Sequence, residues 1–377
     1  MNTLEKLELL GGGAKFDACG SGKAKRNRKE TAALNRLGIF NCTASEDNCR
    51  VMKVLYSNSC THDCKYCANS TEAKKGRQKA MFEPLELAKT VQQLYGRGLF
   101  NGLFLSSAVT KDTEFATEKI IETARLLREK MGFNAYMHLK VLPGASREQV
   151  KQLALYADRL SVNIESPRKS FFSELSSTKD YKIDLLRRMR WAKEMKEKGL
   201  IKSGHTTQMI VGGAGENDSD YIHAMKKMYT EMDLNRVYFS AFTPIEGTAL
   251  EGAQEVPSLR EHRLYQSDWL MRKYNYAPER LESVLNEKGN LELKIDPKIL
   301  IARKENFSAE IENSGFEQLV QVPGIGPKTA ENIIAARKKG KSLSLDELRG
   351  HGVIVKRALP FLEFNKTRQL SLGEFGA

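Results

Sequence analysis

Short apolar runs alternate with amphipathic stretches of helical periodicity from Val51 to about Phe242. Runs of this kind predict buried strands, and the stretches between them predict helices that cover a sheet. The predicted strands are Lys53–Ser57, Gly102–Ser107, Ala135–Val141, Arg159–Glu165, Thr206–Val211 and Val237–Phe242. The predicted helices are Leu85–Tyr95, Thr117–Lys130, Glu148–Ala157, Ile183–Lys198 and Tyr221–Met232.

Six strand-then-helix units in series predict a parallel sheet, which is either doubly wound or closed into a partial barrel. In both arrangements, ligands bind at the carboxyl ends of the strands. In the fourth strand, Asn163 and Glu165 share one face with Ser161. That face either points polar groups into the mouth of the sheet or is simply wetted by solvent. His138 and Lys140 on the third strand have the same two interpretations.

The strand pattern ends after about Leu250, and the organisation of the chain changes there. We predict an N-terminal extension with a basic stretch over residues 1–50 and the α/β domain over residues 51–255. A helical linker region follows over residues 256–307, and a small all-α domain occupies residues 308–377. A chain of 377 residues is long enough for one large and one small domain.

The formal net charge of +13 predicts a polyanionic partner. Basic residues cluster in two stretches, which are Lys23–Lys29 and Arg337–Lys341. The alternative is that the lysines only solvate a large surface.

No apolar run is long enough to cross a bilayer, and no secretory h-region begins the sequence, so we expect a cytoplasmic protein with no membrane partner. Reducing conditions also suit a thiolate-held metal better than a disulfide scaffold.

Three cysteines, Cys60, Cys64 and Cys67, follow the first predicted strand directly, with CxxxCxxC spacing. Three thiolates can hold three irons of a [4Fe–4S] cluster, which leaves the fourth iron open to a small molecule. The alternative is a zinc site with His62, Cys49 or Cys42 as the fourth ligand. Zinc sites usually use paired CxxC motifs, which this chain lacks.

This cysteine motif, with Tyr66 directly before its last cysteine and six β/α units around it, resembles the radical SAM superfamily. The resemblance implies a partial (β/α)6 barrel whose cofactors are a [4Fe–4S] cluster and S-adenosylmethionine (SAM). It also implies that SAM chelates the open iron and is cleaved by one electron to a 5′-deoxyadenosyl radical. The cofactor then supplies the difficult chemistry while the protein positions it.

Further site residues follow from the same resemblance. Tyr66 takes the position of the family's aromatic residue near the adenine, and Glu165 is a candidate acceptor for a ribose hydroxyl. Ser106 and Ser107 stand where the family often has Gly-Gly-Glu for the methionine amino group. The Gly212–Gly213 segment resembles the family's GxIxGxxE sequence beside the adenine, although a strand-to-helix glycine turn explains it equally well.

The segment Leu319–Ala330 resembles the hairpin of a helix–hairpin–helix DNA-binding motif. Its two glycines, Gly324 and Gly326, allow positive φ and close backbone approach, and Pro327 suits the first turn of a helix. The N–H groups at that helix start would face a phosphate, with Lys328 and Thr329 nearby. Gly350-His351-Gly352 is a candidate for a degenerate second hairpin or a plain helical turn.

Across the whole chain, the resemblance is closest to the putative DNA modification or repair subfamily of radical SAM proteins, which is associated with uracil-DNA-glycosylase-like proteins. It implies an enzyme that acts on a damaged or modified base, which would have to leave the stack to reach the barrel mouth. The implied partners are DNA, a uracil-DNA-glycosylase-like protein and a one-electron reductant.

Two other functions remain open: a radical SAM enzyme for RNA or a small molecule, and a non-catalytic iron–sulfur DNA-binding protein. Cys19, Cys42 and Cys49 are either buried small side chains, ligands of a second cluster or a hydrogen donor.

Overall fold

The computed structural model describes residues 1–14, 28–41, 50–73, 76–340 and 343–364. The chain divides into two compact units. The barrel unit comprises Met1–Glu216 and His223–Glu261, and the hairpin unit comprises Asn217–Ile222 and His262–Ala377. This division differs from the predicted domains at both ends. The N-terminal residues pack as part of the barrel unit, and the region predicted as a helical linker shares a unit with the hairpin.

The barrel unit is built on a seven-stranded sheet whose spatial order follows the chain. Its strands are β1 (Ile39–Asn41), β2 (Arg50–Leu55), β3 (Gly102–Ser106), β4 (Tyr136–Lys140), β5 (Arg159–Ser161), β6 (His205–Val211) and β7 (Arg236–Ala241). Strands β2 to β7 are parallel, and β1 pairs antiparallel with β2. Because the order never reverses, right-handed crossovers put the helices on one face, and the sheet curls into a half-barrel. The predicted partial barrel is confirmed.

Helices cover the outer face of this sheet. The helices up to residue 230 are α1 (Thr3–Gly13), α2 (Arg28–Arg36), α3 (Pro84–Gly96), α4 (Thr113–Arg125), α5 (Arg147–Tyr156), α6 (Lys169–Leu175), α7 (Arg187–Glu197) and α8 (Asp218–Thr230). A π-helical turn, Leu126–Lys130, extends α4, and another, Tyr181–Leu186, leads into α7. Alternate apolar side chains of β2 to β4, such as Val54, Leu103 and Leu139, are fully buried beneath them.

The fifth strand is shorter than predicted, because the ladder ends at Ser161 and not at Glu165. Glu165 has a φ of 61°, in the left-handed region that a residue with a side chain rarely adopts. Its main chain still bonds to β6, donating to the Gln208 carbonyl at 3.0 Å and accepting from the Ile210 N–H at 2.8 Å. A backbone strain of this kind persists where the surroundings hold it, and it is common at ligand sites.

The N-terminal helix α1 approaches the sheet closely enough to require glycine. A Cβ at Gly11 would lie 2.9 Å from the Gly38 Cα. A Cβ at Gly38, whose φ is 74°, would collide with the Lys53 carbonyl. Residues before the cysteine motif are therefore part of the barrel fold.

The hairpin unit is helical, as predicted, with one addition. Its helices are α9 (Ser258–Tyr274), α10 (Pro278–Glu282), α11 (Pro297–Lys304), α12 (Phe316–Leu319), α13 (Pro327–Lys338), α14 (Leu345–Gly350) and α15 (Val355–Ala358). The addition is a two-residue parallel pair, β8 (Ala309–Glu310) with β9 (Leu362–Glu363). A separate apolar core, which includes Leu319, Ile333 and Leu348, is buried among these elements.

Within the described ranges, no helix has the length and apolarity needed to span a membrane.

Candidate functional site

A cavity of about 810 Å³ opens at the carboxyl ends of the strands in the barrel unit. Its lining includes all three cysteines of the CxxxCxxC motif together with the predicted cofactor residues Tyr66, Ser106, Ser107 and Glu165. The cysteines reach it from the loop after β2, the serines from the end of β3, and Glu165 from the segment after β5. The curled sheet thus brings together residues that are up to about one hundred positions apart along the chain.

The three thiols form a donor set suited to a cluster. Cys64 is buried, whereas Cys60 and Cys67 are partly exposed, and none of the three is in a disulfide. Burial, with a further contribution from the neighbouring Cys64, raises the pKa of the Cys67 thiol to about 12. A metal that binds there must displace a proton.

The structure leaves the choice between a cluster and zinc open. Among the described residues, no three His, Cys, Asp or Glu side chains are grouped closely enough to hold a single metal ion. His62, the alternative zinc ligand, has its Nδ1 3.0 Å from the Thr178 Oγ1. Cys19, Cys42 and Cys49 lie outside the described residues.

Asp63 fastens the cysteine loop to the segment that precedes α7. Its Oδ1 accepts from the hydroxyls of Ser176 at 2.6 Å and Thr178 at 2.7 Å. Its Oδ2 accepts from both the N–H (2.8 Å) and the hydroxyl (2.5 Å) of Ser177. Although burial opposes the effect, these hydrogen bonds hold the pKa of Asp63 well below its usual value. We call Asp63 with residues 176–178 the Asp63 clamp.

Lys179 follows the clamp directly and brings a cation into the cavity. Burial alone would lower its pKa, but the Cys64 thiol and the Glu165 carboxylate more than offset it and raise the pKa above its usual value. Sequence reasoning missed Lys179, because nothing in the local sequence indicates that this loop returns to the cysteines.

Tyr66 neighbours both the cysteines and Glu165. Burial, followed by the charge of Glu165, raises the pKa of its hydroxyl. The phenol is therefore neutral at ordinary pH. Its place in the cavity lining is compatible with the predicted contact to adenine, which stays a prediction.

Polar side chains also form the inner part of the cavity. Lys140 at the end of β4 donates to the Asn163 Oδ1 at 2.5 Å, and Gln208 and Ser240 line the same space. Asn163 and Glu165 both line the cavity, as the strand pattern indicated, so this face is not merely wetted surface. His138 lies outside the lining, buried beside the Phe104 ring with centroids 4.7 Å apart.

The two glycines predicted beside the adenine, Gly212 and Gly213, lie outside the cavity lining. Gly212 has a φ of 77°, and a Cβ there would lie 2.7 Å from the Val256 Cγ2. Packing therefore explains this glycine without any ligand. Ile210, from the same segment, does line the cavity.

The hairpin unit presents the predicted phosphate site at the start of α13. Gly324 has a φ of 93°, and a Cβ there would lie 2.7 Å from the Ile354 carbonyl oxygen. Gly326 is the N-cap, Pro327 is the first helical residue, and Lys328 is exposed. Backbone N–H groups at the start of a helix commonly bind anions, and Lys328 lies in this first turn.

A second hairpin repeats this geometry. Gly352 has a φ of 94°, nearly the value at Gly324, and each is followed by a buried aliphatic residue. The two hairpins bond to each other: the Ile354 N–H donates to the Gly324 carbonyl at 3.0 Å, and the Thr329 hydroxyl donates to the Gly352 carbonyl at 3.3 Å. Thr329 thus serves to join the hairpins. These contacts favour the degenerate second hairpin over a plain helical turn.

The region predicted as a linker contacts the first hairpin. Lys298 in α11 donates to the Ile325 carbonyl at 2.8 Å, and its ammonium lies 4.4 Å from the centroid of the Tyr274 ring. Burial lowers the pKa of Lys298 to about 7. The hairpin is therefore braced by residues that the sequence pattern assigned to another domain.

Comparisons with known proteins agree with both motifs. Residues 54–228 match the model of the radical SAM superfamily, and residues 311–336 match that of the helix–hairpin–helix motif. A comparison with curated proteins finds no match. Residues 54–228 are thus similar to the radical SAM superfamily, whose members bind a [4Fe–4S] cluster and SAM.

Solved structures similar to this chain include methylornithine synthase (PylB), at 17% identity and a TM-score of 0.49, over 59% of this chain and 61% of that one. The [FeFe]-hydrogenase maturase HydG from Carboxydothermus hydrogenoformans has 11% identity and a TM-score of 0.48, over 59% of this chain and 51% of the maturase. The chain therefore spans between half and two thirds of the length of these proteins.

Proposed function

We propose that this protein is a radical SAM enzyme that binds DNA through its paired hairpins and modifies or repairs a nucleic-acid base. The main support for the proposal is that three cysteines without disulfide bonds line one cavity at the carboxyl ends of parallel strands. The chain's hairpin unit supplies the second half of the argument, because its first hairpin has the geometry of a phosphate site.

In this proposal, several side chains of the cavity bind the cofactors. Cys60, Cys64 and Cys67 hold the cluster, while Tyr66 and Glu165 contact the adenosine part of SAM. Ser106 and Ser107 face the methionine part. When bound, these cofactors supply a 5′-deoxyadenosyl radical. The clamp and Lys179 keep the cysteine loop in place.

The inner wall of the cavity is suited to a polar heterocycle. Lys140 is a hydrogen-bond donor, and Asn163, Gln208 and Ser240 have both donors and acceptors. A volume of about 810 Å³ lies within the usual range for ligand cavities. A base would have to leave its duplex to reach this wall.

The proposal includes partners. DNA is the macromolecular substrate, a one-electron reductant supplies the electron, and a uracil-DNA-glycosylase-like protein acts with the enzyme in the cytoplasm. A second candidate function keeps the radical chemistry and replaces DNA by RNA or a small molecule. A third candidate, a non-catalytic iron–sulfur DNA-binding protein, would have the cluster without SAM cleavage.

One experiment separates these functions. The protein is reconstituted anaerobically with iron and sulfide, reduced, and assayed for 5′-deoxyadenosine from SAM with duplex DNA, single-stranded DNA, RNA or no nucleic acid. We expect SAM cleavage that DNA accelerates more than RNA does. Cleavage that RNA alone accelerates supports the second function, and cluster-loaded protein that never cleaves SAM overturns the radical assignment.

The hairpin itself is tested by two substitutions. We expect Lys328→Ala to weaken binding to all duplex sequences alike and to reduce the slope of log affinity against log salt by about 1. Gly326→Ala is a sharper test, because the φ of Gly326 is not in the left-handed region. The added Cβ would make only an ordinary 3.8 Å contact with the Tyr274 hydroxyl oxygen. The fold should therefore accept the methyl group, which then blocks a phosphate.

The matched control is Lys226→Ala, an exposed lysine of α8 in the barrel unit, outside both basic stretches. It should leave both affinity and salt slope near their wild-type values. Fluorescence anisotropy of labelled duplexes across a salt series measures all three variants. Binding that ignores salt and both hairpin substitutions would show that the hairpin is not the DNA site.

A further inference from the structure

An exposed tryptophan stands out on helix α9. Trp269 is 44% exposed, an unusual state for the largest apolar side chain. Arg272 and Lys273 follow at i+3 and i+4, so the three side chains share one face of the helix. This end of α9 therefore combines an aromatic surface with the exposed cation of Lys273 and the largely buried, paired guanidinium of Arg272.

This tryptophan lies near the first hairpin through Tyr274. Trp269 is close enough to the Tyr274 hydroxyl to lower its pKa, against the larger rise that burial causes. That hydroxyl oxygen lies 3.8 Å from the position that a Cβ on Gly326 would take. Tyr274 in turn lies under the Lys298 ammonium, which bonds to the hairpin carbonyl of Ile325. A chain of neighbouring residues thus leads from the indole to the phosphate site.

The cation next to the indole is also held in place. Arg272 is paired with Asp268, with the Arg272 Nη2 2.5 Å from the Asp268 Oδ2. Its guanidinium carbon lies 6.0 Å from the centroid of the Trp269 ring. A pre-ordered aromatic face loses little entropy when a planar ligand stacks on it.

We propose that Trp269 is a base-stacking residue, which receives an unpaired base of the DNA whose backbone lies on the Gly324–Lys328 hairpin. An aromatic face flanked by cations is the usual platform for a base without its partner, and every base has a π face for it. The hairpin holds phosphates without reading sequence. The stacking residue adds a preference for DNA in which a base pair is already open. This inference rests on the proposed DNA binding.

The test measures binding of the full chain, without cofactors, to a plain duplex and to the same duplex with one unpaired base. We expect Trp269→Ala to weaken binding to the second probe about tenfold and to change binding to the plain duplex less than about twofold. Trp269→Phe keeps an aromatic face, and it should retain most of the affinity. Leu259→Ala, an exposed apolar residue on the same helix, is the control.

A second readout observes the indole directly. The chain has two tryptophans, Trp191 and Trp269, so Trp191→Phe leaves Trp269 as the single reporter. Stacking on a base should quench its fluorescence with the unpaired-base probe and much less with the plain duplex. A structural role alone would not produce this difference.

The outcomes separate the inference from the proposed function. If both probes bind through Lys328 but Trp269→Ala affects them equally, or if the indole is not quenched, the stacking assignment is wrong while DNA binding stands. If neither probe binds in a salt-dependent way, the proposed DNA function itself fails, and with it the stacking role.

Discussion

Replacing Cys64 with alanine is expected to abolish both [4Fe–4S] loading and SAM cleavage. Two remaining thiolates cannot hold three irons, and Cys64 is the buried member of the set. Tyr66 and Lys179 both lie close enough to Cys64 for it to shift their pKa values, so its position is tightly surrounded. Since even changes to residues that only support the ligands of a metal cost 10–100-fold, we expect a loss of more than about a hundredfold in activity.

Iron and sulfide content, the absorption spectrum of reconstituted protein, and 5′-deoxyadenosine formation measure this result. Cys60→Ala and Cys67→Ala should behave in the same way, because all three thiols line the same cavity. The control is Lys65→Ala, in the same loop, whose backbone N–H rather than its side chain bonds to the Leu175 carbonyl. Full cluster loading and SAM cleavage by any of the three cysteine variants would contradict the assignment.

The periodicity of the sequence predicted the six parallel strands well. It predicted strand β1 and the end of the fifth strand poorly. All six parallel strands overlap the runs that predicted them, because most of their residues are buried between the covering helices and the barrel interior. Strand β1 has three residues, too few to show a pattern, and it was missed. The end of the fifth strand was misplaced because the left-handed backbone at Glu165 depends on its surroundings and not on local sequence.

The site was predicted to the extent that its residues lie close together in sequence. The cysteines and Tyr66 fall within eight consecutive positions, so their spacing alone indicates the chemistry. Ser176 reaches Asp63 across 113 positions, and only the closed fold brings Lys179 to Cys64. Likewise, Gly324 and Gly326 can be recognised from their spacing in the sequence, whereas the bond of Lys298 to the Ile325 carbonyl cannot.

The second large effect is expected when the Asp63 clamp is removed. We expect Asp63→Ala to destabilise the cysteine loop by about 3 kcal/mol, because it removes a charged acceptor from several hydrogen bonds at once. Ser176 is only 2% exposed, so its hydroxyl would remain buried without the carboxylate that accepts its hydrogen bond. Reconstituted protein should then retain less iron. Hydrogen exchange at the Lys65 amide, which donates to the Leu175 carbonyl at 2.9 Å, reports the loop directly.

Acid should reproduce this loss in the wild-type protein. Since hydrogen bonds hold the pKa of Asp63 below its usual value, the ionised clamp stabilises the fold at all pH values above the ordinary aspartate pKa. Its contribution then disappears as the pH falls through the lowered pKa. The Lys65 amide of wild type should lose protection in acid, while that of Asp63→Ala is already unprotected and stays so.

The matched control is Asp112→Ala, which removes a helix cap in the same unit, where Asp112 accepts from the Phe115 N–H at 2.7 Å. That change should cost about 1 kcal/mol in α4 and leave the Lys65 amide and the iron content as in wild type. Equal effects of the two variants on the loop would mean that Asp63 contributes only general stability. A larger effect of Asp63→Ala on loop protection and iron retention follows only if the carboxylate holds the cysteines in the arrangement that the cluster requires.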